Sequence, residues 1–174
     1  MTPLLAFYFG SHPDHCGRML AEVVKQDDDW LETSHDYIQW LFPLTEHSRV
    51  VPNAPTLSVN DIKVFRADDL LKRHMLIALH RMLQFYGLIN FPEAIAKGPN
   101  WQNRKGNWFT EQTHNSLRIT RILKSLMLLG LEVHAKRFQR CLEELCSKES
   151  DCGVSKESQF FWQQAVKQRS SSAA

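Results

Sequence analysis

Asp69-Leu70-Leu71-Lys72-Arg73-His74-Met75-Leu76-Ile77-Ala78-Leu79-His80-Arg81-Met82-Leu83-Gln84-Phe85-Tyr86 is the most regular stretch of the 174-residue chain. Leu71, Met75, Ala78, Leu79, Met82, Leu83 and Tyr86 recur at i, i+4, i+7, i+8, i+11, i+12 and i+15, the spacing of one face of an α-helix. Lys72, Arg73, Arg81 and Gln84 fall mostly on the other side, and Gly87 supplies a natural C-terminal stop. The spacing predicts a long amphipathic helix over 69–86. It needs a partner surface, and the chain provides several. A second helix is predicted over about 114–129, with Ile119, Ile122, Leu123 and Leu126 on its apolar face and Gly130 at its end. A third follows at once over about 132–147, where Phe138, Cys141, Leu142 and Leu145 sit at i, i+3, i+4 and i+7. A last one is expected over 156–168.

Upstream, Met19, Leu20, Val23 and Val24 mark a short helix over 17–26. Ser58 followed by Asp61 signals a helix start, because a serine caps the first turn and an acid there suits the positive helix end. The aromatic block His35–Pro43 is compatible with a helical turn or a buried extended piece. Residues 44–57, with Pro52 and Pro55, read as an irregular connection, and 90–113 as a long loop. No β-branched alternation stands out. The fold class is all-α: a single compact multi-helix domain of about six helices over residues 1–169. The Ser-rich end, 170–174, is expected to be a frayed tail.

Composition agrees with a globular chain: hydrophobic residues make up 43% and charged residues 23%. No run approaches the ~20 apolar residues of a membrane span, and the N-terminus lacks the basic start of a signal peptide. The four cysteines, Cys16, Cys141, Cys146 and Cys152, form no Cys-x-x-Cys motif, so reduced thiols are the expectation, with a 146–152 bridge left open. No Gly-x-Ser-x-Gly elbow, phosphate-binding Gly-rich loop or His-Glu-x-x-His occurs, so the chain is read as non-catalytic and without a cofactor. The net charge of +2 hides an uneven distribution: residues 1–96 carry −4, residues 97–140 carry +7 and residues 141–174 carry −1. A basic block of that kind suits either a solvated helix face or an anionic partner.

Two longer strings are distinctive. His35-Asp36-Tyr37-Ile38-Gln39-Trp40-Leu41-Phe42-Pro43-Leu44 resembles the signature block of the opioid growth factor receptor conserved domain. His114-Asn115-Ser116-Leu117-Arg118-Ile119-Thr120-Arg121-Ile122-Leu123-Lys124-Ser125-Leu126, followed by Leu129-Gly130-Leu131-Glu132, resembles a second block of that domain, and Phe85-Tyr86-Gly87 a weaker third. The resemblance implies an all-helical domain and non-catalytic binding of a short opioid peptide, Met-enkephalin. In animal members it also implies nuclear and membrane association and restraint of proliferation. The segment Glu46–Asn53 departs from the animal pattern, and no long repeat-bearing tail follows the domain. Both departures lead to the expectation of a compact, stand-alone member, bacterial in type and then cytoplasmic.

Four groups of residues are candidates for chemistry. His35, Asp36 and Gln39 share a face if their segment is helical, and they either line a pocket or satisfy local backbone. His114, Arg118 and Arg121 stack at i, i+4 and i+7, and Lys124 continues the stripe. Such a stripe receives a peptide carboxylate, a phosphate or the Asp27–Asp29 run of the same chain. The expected peptide site is an aromatic cleft of Tyr37, Trp40 and either Trp101 or Trp108, with Gln39 and His114 beside it and Arg118 and Arg121 as the basic wall. The rival reading is a nucleic-acid or protein-interaction module using Lys124, Lys136, Arg137 and Arg140 on the two helices joined by Gly130-Leu131, although a tight helical hairpin gives the wrong crossing angle for a DNA reader. His12-Pro13-Asp14-His15-Cys16 carries ligand-type residues without a metal spacing and is read as a capping or disordered segment, with no metal.

Overall fold

The computed structural model describes residues 1–167. The elements run α1 (Pro3–Tyr8), α2 (Leu20–Val23), α3 (Asp28–Thr33), α4 (Ile38–Leu41), α5 (Val59–Ala67), α6 (Asp69–Phe85), β1 (Leu88–Asn90), β2 (Ile95–Lys97), α7 (Trp101–Arg104), a 3-10 turn (Lys105–Asn107), α8 (His114–Leu128), α9 (Glu132–Lys148) and α10 (Lys156–Ala165). The fold is all-α apart from one small antiparallel hairpin. The six expected helices are present as α2, α5, α6, α8, α9 and α10, with α2 cut to Leu20–Val23 from the expected 17–26. The expected end of the last helix and the 170–174 tail fall partly or wholly outside the described residues.

The central element is α6. Leu71, Met75, Ala78, Leu79, Met82 and Leu83 are all buried on one face, and each large apolar side chain there contributes about 1.5–3 kcal/mol. Against it pack α1, α5 and β1, while α8, α9 and α10 form a second group closed by the turn at Gly130. Gly130 has φ +88, and the Leu131 N–H reaches back to Leu126 O at 2.9 Å. That turn is as tight as the sequence suggested, with α9 packed back on α8.

Four helices go beyond the expected six, and local chemistry accounts for most of them. In α1, the Thr2 hydroxyl accepts from Leu5 N and Pro3 occupies the first turn. The acidic run is the start of α3: Asp27 accepts from Trp30 N at 2.8 Å, and Asp28 and Asp29 lie in the first turn, at the positive end. The block at 38–41 resolves as one helical turn, α4. The fourth, α7, falls in the stretch expected to be a loop.

That stretch, 90–113, is ordered, and its side chains finish the end of α6. Asn100 Nδ2 donates to Gln84 O at 2.8 Å, Arg104 Nε to Phe85 O at 2.8 Å and Trp108 Nε1 to Tyr86 O at 2.8 Å. The last carbonyls of a helix have no partner within it, so three successive ones are met from one folded-back segment. Trp101, Trp108, Phe109 and Tyr86 pack edge-on with ring centroids 5.1–5.8 Å apart.

The start of α5 is built as the sequence indicated. The Asp61 carboxylate accepts from Ser58 N at 2.9 Å, Ser58 Oγ at 2.7 Å and Thr2 Oγ1 at 2.8 Å. Burial opposes the charge, yet the bonds from Ser58 and Thr2 hold the carboxyl below its ordinary range. A group depressed in the folded state stabilises above its unfolded pKa, and that stabilisation is lost as pH falls through the folded value. Asp61→Asn is therefore expected to lower stability by about 1 kcal/mol at neutral pH, as for other lost caps. Urea midpoints measured from pH 7 downward should show the gap to the parent closing as Asp61 itself protonates.

Candidate functional site

The stripe on α8 is a clamp. Arg118, only 4% exposed, donates from Nη1 to Leu31 O at 2.8 Å and from Nη2 to Ser34 O at 2.6 Å. Its guanidinium lies 5.4 Å from the Tyr37 ring centroid, within cation–π range. One turn on, Arg121 Nη1 donates to Phe42 O at 3.1 Å, and Ser125 Oγ to Pro43 O at 2.8 Å. These carbonyls lie at the C-terminal ends of α3 and α4. Each arginine thus sits at the negative end of a short helix and supplies the donors its last turn lacks. Arg66 does the same for α8, donating to Met127 O and Leu128 O and pairing with Glu132 at 2.6 Å.

His114 closes the outer end of the clamp. Its Nε2 lies 2.9 Å from Glu32, and its ring meets His35 edge-on at 5.3 Å. Burial and Arg118 lower its pKa despite Glu32. Asp27–Asp29 is not the partner of this stripe: Asp28 pairs with Arg81 at 2.7 Å and lies 3.5 Å from Arg104.

The rings expected to wall a cleft are inside the protein. Tyr37 is fully buried, its hydroxyl donates to Leu31 O at 2.9 Å, and burial pushes its pKa up. Trp40 is buried against Phe7, and its indole N–H donates to His15 Nδ1 at 3.0 Å. Trp101 and Trp108 belong to the aromatic cluster behind α6. Gln39 is buried, bonded to His35 O at 3.2 Å, with its carbonyl oxygen lacking a partner. Asp36 turns instead toward Arg18 at 3.0 Å and the Cys16 thiol at 3.2 Å. Tyr37, Gln39 and Trp40 are thus placed in the core, and Arg118 and Arg121 at its seams. Their spacing was legible; their acceptors, carbonyls some 80 residues away in sequence, were not.

Asp14, His15 and Cys16 form an ordered clasp, and their ligand-type atoms lie within 4.8 Å of one another. Both Asp14 oxygens are engaged, by Cys16 N, Arg18 N and Arg18 Nε, while the Trp40 indole uses the His15 Nδ1 lone pair. The Asp36 carboxylate beside it raises the Cys16 pKa, which weakens the thiol as a nucleophile. The clasp ties the loop before α2 to α4.

Of the alternative nucleic-acid set, Lys124, Lys136 and Arg140 are exposed and make no ion pair among the described residues. Arg137 is half-buried and donates to Pro92 O at 2.8 Å.

An open concavity lies elsewhere. His80 and Gln84 of α6, Leu88, Ile89 and Asn90 of β1, and Pro99 and Asn100 line a groove of about 370 Å³. The Asn90 side-chain amide meets His80 Nε2 at 2.9 Å. Leu88, Ile89 and Pro99 offer apolar contact; His80, Gln84, Asn90 and Asn100 offer donors and acceptors. None of these residues stood out in the sequence, because the groove exists only once the hairpin folds beside the end of α6.

The architecture defines a helical domain with one small hairpin and a mixed polar–apolar groove at the end of its central helix. Among the described residues no helix is long and apolar enough to cross a membrane. The chain matches the family model described as "Opioid growth factor receptor (OGFr) conserved region" over residues 5–173. It is 34% identical over 180 residues to the opioid growth factor receptor of Homo sapiens, an alignment covering 97% of this chain and 26% of that protein. It is 44% identical over 110 residues to opioid growth factor receptor-like protein 1 of Mus musculus, covering 62% of this chain and 23% of that one. The chain belongs to the opioid growth factor receptor family, and it spans about a quarter of the length of these curated relatives. No solved structure matches it significantly.

Proposed function

We propose that this chain is a non-catalytic ligand-binding domain, and that its ligand is a short peptide of the Met-enkephalin type held in the groove between α6 and β1. The observation that carries this reading is the groove's composition. Side-chain amides and an imidazole stand beside Leu88, Ile89 and Pro99, so one surface serves both peptide amides and an aromatic side chain. Family membership supports it through relatives named as receptors. The volume, about 370 Å³, is in the range of small-ligand sites. Arg118 plays no part in holding the ligand, since its Nη1 and Nη2 are engaged with Leu31 O and Ser34 O within the fold.

Calorimetric titration with Tyr-Gly-Gly-Phe-Met should show saturable binding that a scrambled pentapeptide lacks. Ile89→Glu, at a 37% exposed position on the groove, should weaken it at least about tenfold by placing a charge on an apolar contact. No heat at millimolar peptide, or an affinity indifferent to Ile89→Glu, refutes the site. The exposed Lys124, Lys136 and Arg140 support the nucleic-acid reading instead. It predicts oligonucleotide affinity that falls steeply with salt as counterions are released.

A further inference from the structure

The groove has two unlike ends. After the turn at Gly87, β1 runs back along α6, and the Asn90 side-chain amide meets His80 Nε2 at 2.9 Å. His80 and Asn90 therefore mark one end. Gln84 and Asn100, joined by the Asn100 Nδ2 bond to Gln84 O, mark the other. The hairpin turn continues past Asn90, and there Arg137 of α9 donates from Nη1 to Pro92 O at 2.8 Å. His134 precedes Arg137 by three residues on α9, so the two share a face.

The His80 end is basic. Arg137 and His134 are half-buried, and His80 is exposed. Arg137 makes no ion pair among the described residues, and its Nε and Nη2 make no hydrogen bond among them. Burial lowers the His134 pKa, Arg137 and His80 lower it further, and no carboxylate offsets them. Glu93, the acid of the hairpin turn, is exposed and makes no ion pair among the described residues. On β2, Lys97 is paired with Glu149 at 2.5 Å. With the Asn90 amide donating to Nε2, the neutral His80 ring carries its hydrogen on Nδ1, which is bonded to nothing among the described residues. A half-buried guanidinium beside two imidazoles, with no acid to balance them, is an arrangement that an incoming anion relieves.

We propose that this end of the groove receives the terminal carboxylate of the peptide, with Arg137 as the charged donor and His80 and His134 as donors beside it. The proposal rests on the peptide-binding reading and gives the ligand its direction and its end group. The Nε–Nη2 edge of an arginine takes a carboxylate through two parallel N–H bonds. His80 and Gln84 are one helical turn apart, about 6 Å, which is the length of about two extended residues. The last two residues of the ligand therefore lie along the groove, with their side chains against Ile89 and Pro99. The preceding chain leaves past Gln84 and Asn100. The imidazoles gain protons as the anion arrives, so affinity rises as pH falls, for as long as the carboxylate stays ionised.

The test compares Met-enkephalin with its C-terminal amide by calorimetry on the full chain, from pH 8 to pH 6. The free acid should bind about tenfold more tightly or better at neutral pH, as expected for lost charge-assisted bonds. The ratio of the two affinities should grow toward pH 6, and taking the ratio cancels the peptide amine, which titrates in both. Arg137→Gln should bring the acid down to the level of the amide and leave the amide unchanged. A merely structural role through Pro92 O would weaken both alike. In imidazole C–H NMR titrations, the His134 pKa should rise on saturation with the acid and stay in place with the amide. Equal affinities for acid and amide, or an Arg137→Gln that weakens both equally, overturn the carboxylate end and leave the peptide reading standing. N-acetyl-Phe-Met, as acid and as amide, is the second probe. A silent Met-enkephalin with a dipeptide acid that shifts His134, where its amide does not, upholds the carboxylate end and removes Met-enkephalin as the ligand. No binding by either acid at millimolar concentration overturns both readings.

Discussion

Arg118→Ala is expected to lose about 3–5 kcal/mol of stability, read as a fall in the urea midpoint at unchanged slope. The side chain is almost wholly buried, and its guanidinium meets Leu31 O, Ser34 O, Asn115 Oδ1 and His35 Nδ1. Truncation leaves a cavity and strands Ser34 O at the end of α3, where water cannot easily replace a charged donor. Leu31 O keeps the Tyr37 hydroxyl, which limits the loss. Arg118→Lys should fall between parent and Ala, because an ammonium keeps the charge but cannot span two carbonyls with a planar fork. If Arg118→Ala instead kept full stability and lost only peptide affinity, the clamp would be refuted and Arg118 would return as a ligand contact.

Gly87→Ala should cost about 2–4 kcal/mol, combining a left-handed backbone penalty with overpacking. Gly87 has φ +81, and a Cβ there would stand 2.9 Å from Trp101 Cα and 3.1 Å from Arg104 Cβ. Neither neighbour yields cheaply, since one is backbone and Arg104 is tied to Phe85 O. Gly87 O also receives Gly98 N, so displacement opens the base of the hairpin. Peptide affinity should fall with stability, because the groove loses its register against α6. Gly10→Ala is the control: φ is +76, but nothing lies within 4 Å of the added carbon, so only the conformational penalty remains. Equal losses at the two positions in urea unfolding would refute the contact argument for Gly87.

The long helices were legible because apolar spacing near 3.6 residues persisted over several turns, as at Leu71–Tyr86 and Ile119–Leu126. Their limits were legible too, since Ser58, Asp61, Gly87 and Gly130 act through local backbone chemistry. Helices α1, α3 and α7 have six residues or fewer, too short for a period to emerge, and the Asp27–Asp29 run, read as a candidate partner of the α8 stripe, instead begins α3 with its first carboxylate capping Trp30 N. The hairpin strands of three residues each could not display alternation. Site chemistry divided in the same way. The sequence placed Arg118 and Arg121 on one face of a helix and carried the family resemblance in full. Only the tertiary structure revealed that those cations face the carbonyl ends of α3 and α4. It alone brought His80, Leu88 and Asn100 to one groove. A side chain's spacing is set along its own helix, whereas its partner and its exposure are set by segments that meet only when the chain folds.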